Sequence, residues 1–534
     1  MQRMPKLTSI LTFTLIFICF FVLPKTADAQ FTNFQKTIVE EAEFDKDILA
    51  FYQTNGYRAV WTGISGSAYD RRQALFKALE NASLHGLPLG RYDAAGLQAK
   101  IKAARGGSQR GTVEVEASRI FLQYARDIQT GLLIPSNVNE AIVRKVPYRD
   151  RMSYLINLTK SSPKEFFDAL VPQSSEYKGL MREKLRLEHL LGAGEWGPPV
   201  PNELLVFGQS GQPIVKLRNR LFLMGYLGIS TTQIYDLSIK SAVQKFQAAH
   251  GLSVDGIAGP DTVSEINKSV KTRLQSVIVA MERERWFNEE RGERHILVNI
   301  PDFTAKIFDN NEVTFETRSV VGAIETDRPT VEFSDLMEYM VINPSWYVPN
   351  SIATLEYLPK LQLDSSSIPH IEITNKEGLV VDSANVNFSL FDTENFPFSM
   401  RQPPSNVNAL GLVKFIFPNP YNIYLHDTPA KNLFSLDNRA FSHGCVRLAE
   451  PFEFAYALLA KEMANPEEFF QEQLATGEEQ HVFLETSVPV HIIYRTAFTN
   501  AGGQMHYRRD VYGRDNEIWE ALAKAGVALR AIQG

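Results

Sequence analysis

Residues able to do covalent chemistry converge on two short runs, Tyr424-Leu-His-Asp-Thr-Pro429 and Phe441-Ser-His-Gly-Cys-Val-Arg-Leu448. Cys445 is the candidate nucleophile. A cysteine attacks as thiolate, so it needs a basic or electropositive neighbour. His443 lies two residues before it and His426 nineteen before it. His426 closes a predicted strand, a rigid platform from which an imidazole can meet a thiol across a loop. Gly444 lets the backbone turn tightly and aim N–H groups at a developing oxyanion. Arg447 adds a fixed cation suited to a carboxylate.

The sequence holds two cysteines, and the other, Cys19, lies in an N-terminal apolar run. Arg3 and Lys6 precede Leu7–Leu23, and Ala27-Asp28-Ala29 forms a small-residue cleavage site before Gln30. This pattern predicts a secretory signal cut after Ala29. The alternative is an uncleaved membrane anchor, since the run is nearly long enough to span a bilayer. Either way the working body lies outside the cytoplasmic membrane, and the expected compartment is the periplasm. A lone thiol in an oxidising compartment is a liability unless it is buried or used. The histidines, glycine and arginine around Cys445 favour use.

A chain of 534 residues exceeds what one core usually organises, which predicts two to four domains. Hydrophobic residues at 44% and charged residues at 22% exclude wholesale disorder. A formal charge of −6 gives no support for nucleic-acid binding.

The elements that must position the chemistry come late. From Phe31 to about Gly197 the apolar spacing is helical, as in Arg71–Glu80 and Val113–Ile128, with turns at Gly86-Leu-Pro88 and Leu133-Ile-Pro135. Gly197-Pro-Pro-Val-Pro201 reads as a linker. Between Leu205 and Lys268 a small helical unit is predicted, with helices around Ile214–Leu223 and Leu237–His250 and a turn at Asp255–Pro260. A charged helix surrounds Met281–Trp286. Strands then follow at His295–Ile300, Thr317–Gly322, Tyr339–Ile342, Leu412–Phe417 and Asn422–Leu425. A hairpin is predicted across Asn500–Gly503, and helices at Pro451–Met463 and Asp515–Ala531. The stretch from about Trp346 to Asn408 is rich in Pro, Ser and Asn, and reads as an inserted lid or cap.

On these residues the C-terminal half resembles the L,D-transpeptidase catalytic domain (YkuD type). There a histidine precedes a Ser/Thr-His-Gly-Cys run by some fifteen residues, and here fifteen residues separate His426 from Ser442. Val298-Asn-Ile-Pro-Asp-Phe303, Asn343-Pro-Ser-Trp346, Val348-Pro349 and Asp510-Val-Tyr-Gly-Arg-Asp515 are similar to the larger Gram-negative branch. One departure is Asp327-Arg-Pro-Thr330, where that family usually has Gln-Thr-Pro. The unit 205–268 resembles the three-helix peptidoglycan-binding domain, through Gly225-Tyr226, Ala242-Val243, Phe246-Gln247, His250-Gly-Leu252, Asp255-Gly256 and Gly259-Pro260. Those residues define a fold, so the unit either binds the wall or spaces the catalytic domain.

The resemblance implies a multidomain α+β fold: signal peptide 1–29, helical scaffold 30–200, peptidoglycan-binding domain 205–268, and a β-rich catalytic domain 280–534 with a capping insertion at 346–408. It implies that Cys445 attacks the third residue of a tetrapeptide stem, releases D-alanine, and passes the acyl group to an amine on a neighbouring stem. His426 is then the base, His443 shapes the loop, and the amides near Gly444 and Cys445 line the oxyanion hole. Arg447, Tyr424, Ser442 and Trp346 are the expected substrate contacts. No metal or cofactor is implied, and carbapenem-type β-lactams should acylate Cys445. The same residues would serve an L,D-carboxypeptidase or a D-amino-acid exchange enzyme, and a non-catalytic wall-binding protein is the alternative from another class. Trp61 and Trp286 are expected in the core, and Asp427 is expected to face solvent or cap a turn.

Overall fold

The computed structural model describes residues 31–324, 328–500 and 502–532. The predicted signal sequence and Asp327 lie outside the described residues. Helices fill the first part of the chain and a large sheet the last, connected by a small helical unit.

Helical periodicity translates directly into the first core. Gly66–Glu80 and Gly107–Thr130 bury Leu75, Phe76, Leu79, Phe121, Leu122 and Ile128 in one cluster that also takes in Trp61. Polar ends are satisfied locally, as where the Ser65 side chain accepts from the Ala68 N–H. The helix Ser175–Gly192 belongs elsewhere. It packs on Val270–Trp286, which also takes Arg514–Lys524 from the far end of the chain, forming a second core around Tyr177, Leu180, Met281 and Ile518. The charged segment Met281–Trp286 is buried rather than solvated. Glu282 pairs with Arg285 at 2.7 Å, and Arg283 pairs with Glu332 at 2.7 Å and Asp515 at 3.0 Å. Such desolvated charges are tolerable only when paired.

The unit around 205–268 has its own small core, built on Leu217, Leu221, Val243, Phe246 and Val263 from the helices Gln212–Leu223, Leu237–Ala249 and Pro260–Ile266. It is fastened to the sheet-bearing half. His250 stacks between Phe246 and Tyr507, Ser253 donates to Asp437 at 2.8 Å, and Arg508 joins the Ala249 carbonyl to Asp302.

The sheet runs in the order Ala440–Ser442, Glu312–Gly322, Val446–Leu448, Leu425–His426, Val413–Ile416, Phe333–Ile342, Gln480–Ile493, Arg294–Asn299, Thr304–Asp309. Thr304–Asp309 also pairs with Glu312–Gly322, so the sheet closes on itself around Ile296, Val321, Met340, Phe415 and Val446. The predicted strand Asn422–Leu425 is displaced: only Leu425–His426 pairs, because Asn422 turns at φ 52°. The hairpin forms from Ala497–Thr499 and Met505–Tyr507 as a separate two-stranded sheet. The last helix stops at Lys524. Between Trp346 and Asn408 an insertion with its own apolar cluster, including Leu358, Ile373 and Met400, rises from the sheet.

Candidate active site

Two short neighbouring strands place the chemistry. Val446–Leu448 lies parallel to Leu425–His426, with Arg447 opposite His426, and Lys414 faces His426 from the other side. Cys445 immediately precedes the first of these strands. The turn that carries it is pinned from within. The Ser442 hydroxyl accepts from the Gly444 N–H at 3.2 Å and donates to the Cys445 carbonyl at 2.5 Å. Ser442 is buried, so its part here is to hold the turn. Gly444 has φ 109°, a conformation that a side chain would strain. Its carbonyl accepts from the Thr330 hydroxyl at 2.8 Å.

Cys445 is half-buried, and its thiol donates to the Asn422 carbonyl at 3.4 Å. Burial pushes the thiol up to about 11, against the opposing influence of the Tyr424 backbone and side chain and of Arg447. Burial and the neighbouring thiol hold the Tyr424 phenol far above its ordinary range. The Tyr424 ring stands edge-on to His426 with centroids 5.6 Å apart.

His426 is 4% exposed, and its Nδ1 is buried without a hydrogen-bond partner. Burial first, then the charge of Arg447, push its imidazole down to about 3. Backbone at Asp427 and Leu410 opposes that shift, yet neither closes a hydrogen bond onto Nδ1. Both shifts favour the uncharged forms, the thiol and the neutral imidazole.

His443 points elsewhere. Its Nε2 meets Glu356 Oε1 of the insertion at 2.6 Å. Trp346 is buried, in a small cluster with Ile352 and Leu410 against which Tyr424 packs. Arg447 is half-buried, with an Nε that finds no partner. Asp427 does not face solvent. It is 6% exposed, accepting from the N–H groups of Leu412 at 2.9 Å and Thr428 at 2.7 Å and pairing with Lys431 at 2.6 Å. Its turn-capping role stands. Its burial follows from the close approach of Gly411, where any β-carbon would strike the carboxylate.

Three contributors have no signature in the sequence runs. Asn422 supplies the carbonyl facing the thiol, Thr330 braces Gly444, and Glu356 holds His443. Thr330 lies in the segment that departs from the usual Gln-Thr-Pro pattern, which was the available hint. Its carbonyl accepts from Arg514 at 2.8 Å and its N–H donates to the Tyr512 hydroxyl at 3.3 Å, so the closing Asp510–Asp515 run buttresses the turn that carries Cys445.

Comparison with known proteins follows this geometry. Residues 293–472 match the family described as "L,D-transpeptidase catalytic domain". Residues 46–183 match "Scaffold domain", and 210–266 match "Putative peptidoglycan binding domain". In chain order, the three matches fall on the helical part, the small helical unit and the sheet. A Haemophilus influenzae protein described as "Putative L,D-transpeptidase" is 33% identical over 237 residues. That match takes in 43% of this chain and 47% of the relative, so the chain spans about half the length of the curated protein it matches. Among solved structures, an L,D-transpeptidase of Xylanimonas cellulosilytica (residues 123–326) is 13% identical, covering 56% of this chain and all of that one at a TM-score of 0.16. One from Stackebrandtia nassauensis is 13% identical, covering 56% and 97% at 0.22.

Proposed function

We propose that this protein is an exported peptidoglycan-modifying enzyme, a cysteine L,D-transpeptidase acting in the periplasm. The observation that carries the reading is the fixed turn Ser442–Cys445, which presents a lone half-buried thiol beside the strand bearing His426, within the segment matched to the catalytic family.

In this mechanism Cys445 Sγ attacks the carbonyl carbon of the third residue of a tetrapeptide stem while its proton passes to His426. The tetrahedral oxyanion is met by N–H groups of the Gly444–Cys445 turn. As it collapses, the C–N bond to D-alanine breaks and His426 returns the proton to the leaving amine. An amine from a neighbouring stem then attacks the thioester, giving up a proton through His426, and the thiol is regenerated with a third-residue to third-residue link. Arg447 and Tyr424, beside the thiol, are the proposed contacts for the donor stem. The domain at 210–266 is proposed to hold the wall.

Incubation of the purified protein with defined wall fragments, followed by mass spectrometry, tests the reading. Cross-linked dimers with release of D-alanine are expected. Trimmed stems alone would make it a carboxypeptidase, and exchanged stems an exchange enzyme. Unchanged fragments with retained wall binding would overturn the catalytic reading.

A further inference from the structure

We propose that Glu356, in the inserted cap, is a positioning residue for the nucleophile's turn and acts through His443. The inference rests on the assignment of Cys445 as nucleophile.

Glu356 lies in a π-helical turn, Ala353–Tyr357, and such single turns inside α-helices are frequent at functional sites. Its Oε1 takes both His443 Nε2 at 2.6 Å and Arg328 Nη1 at 3.4 Å. The same two segments meet again beneath the site, where the Thr330 hydroxyl donates to the Gly444 carbonyl. The turn 442–445 is thus held at its back by Thr330 and at its tip by the cap. The cap is itself fixed at its neck. Asn408, wholly buried, donates to the carbonyls of Pro344 at 3.1 Å, Gln402 at 3.1 Å and Pro403 at 2.9 Å, tying both ends of the insertion together. With its neck clasped, the insertion can transmit a fixed position to Glu356. The carboxylate also accounts for the direction of His443, which is turned toward the cap.

A double-mutant cycle tests this. In the full-length protein, Glu356→Ala should lower kcat for D-alanine release from soluble tetrapeptide stems by roughly tenfold to a hundredfold, the cost of a slightly misplaced reacting group. KM should move little. Glu356→Gln, which can still accept from His443, should recover most of the rate. His443→Ala should show a defect of similar size, and the double variant no further loss. Loss of the anchor should also quicken alkylation of Cys445 by iodoacetamide, with the same non-additive pattern. That readout needs no wall substrate, so it still decides the proposal if the protein turns over no stems. Multiplying effects in the double variant, or Glu356→Gln as defective as Glu356→Ala, would overturn it.

Discussion

Two buried ionisable groups, one in the helical region and one in the sheet, are treated in opposite ways. Glu114 is wholly buried in Gly107–Thr130, and its carboxylate is saturated. It accepts from the Tyr52 hydroxyl, the N–H groups of Val60, Trp61 and Thr62, and the Thr62 hydroxyl. His426 is nearly as buried, but its Nδ1 is left without a partner, as is the Nε of neighbouring Arg447. A buried polar atom normally costs stability unless paired. At Glu114 both oxygens are answered, whereas at His426 and Arg447 polar capacity is left open.

The comparison breaks most directly at the thiol. Cys445→Ala should abolish D-alanine release while leaving thermal unfolding unchanged, since the turn is held by Ser442, Thr330 and Glu356 rather than by the sulfur. Stems still trimmed by this variant would remove the site from the catalytic account. Carbapenem acylation should likewise label the peptide containing Cys445, read as one drug mass on the intact protein.

Next in size is the imidazole. His426→Ala should slow acylation at neutral pH by about a hundredfold to ten-thousandfold, the range of general base catalysis. The pH dependence has a definite sign. Without the base, reaction follows the thiolate fraction, which rises with pH until the thiol's own pKa is passed. An unperturbed thiol would bring rescue near 8.5. Burial has moved Cys445 to about 11, so the rate of the variant should still be climbing at the alkaline end of a stopped-flow series. A plateau near neutrality would mean that the thiol is activated by something other than His426.

On the scaffold side the reverse is expected. Glu114→Ala leaves buried donors unanswered, at about 1–3 kcal/mol for each one that water cannot reach. Thermal unfolding should shift markedly downward, while kcat for soluble stems measured at low temperature stays near wild type. A selective loss of kcat would show that the helical region touches the chemistry.

Much of this contrast was legible in the sequence. Cys445, His426 and the spaced Ser-His-Gly run mark the candidate turn because covalent chemistry restricts residue types at short separations. The apolar spacing of Arg71–Glu80 and Val113–Ile128 marks helices for an equally local reason. What stayed hidden is non-local. Nothing in the residues around Glu356 says that the insertion folds back onto His443, eighty-seven residues away. Nor does the charged run Met281–Trp286 announce burial, since its partners Glu332 and Asp515 come from distant segments. The burial of Asp427 is hidden for the same reason: it depends on Gly411 and Leu412. Conversely, the quoted run Val298–Phe303 has its explanation in structure rather than catalysis. Asn299 brackets the backbone of Arg495 with both halves of its amide, and Asp302 takes Arg508.

That last contact supplies the smallest and most specific prediction. Arg508 is one joint between the small helical unit and the sheet-bearing half. Its Nε meets Asp302 Oδ1 at 2.5 Å, its Nη1 donates to the Ala249 carbonyl at 3.0 Å, and its stem lies where a β-carbon on Gly251 would fall. Burial alone would raise the Asp302 carboxyl, but the charges of Arg508 and Lys306 hold it below its ordinary value. Deleting residues 205–268 would strip this face and confound wall binding with damage to the sheet. Arg508→Ala instead loosens the joint and leaves both parts in place. If the unit serves by holding wall strands in register with the cleft, the variant should keep its retention on sacculi. It should also keep its rate on soluble stems, yet lose a few-fold in turnover of intact sacculi, because the tether's effective concentration depends on geometry. Equal losses on soluble and insoluble substrates would mean that Arg508 matters only for the fold of the sheet. Undiminished turnover of sacculi would mean that the unit works as a loose tether, whose orientation is immaterial.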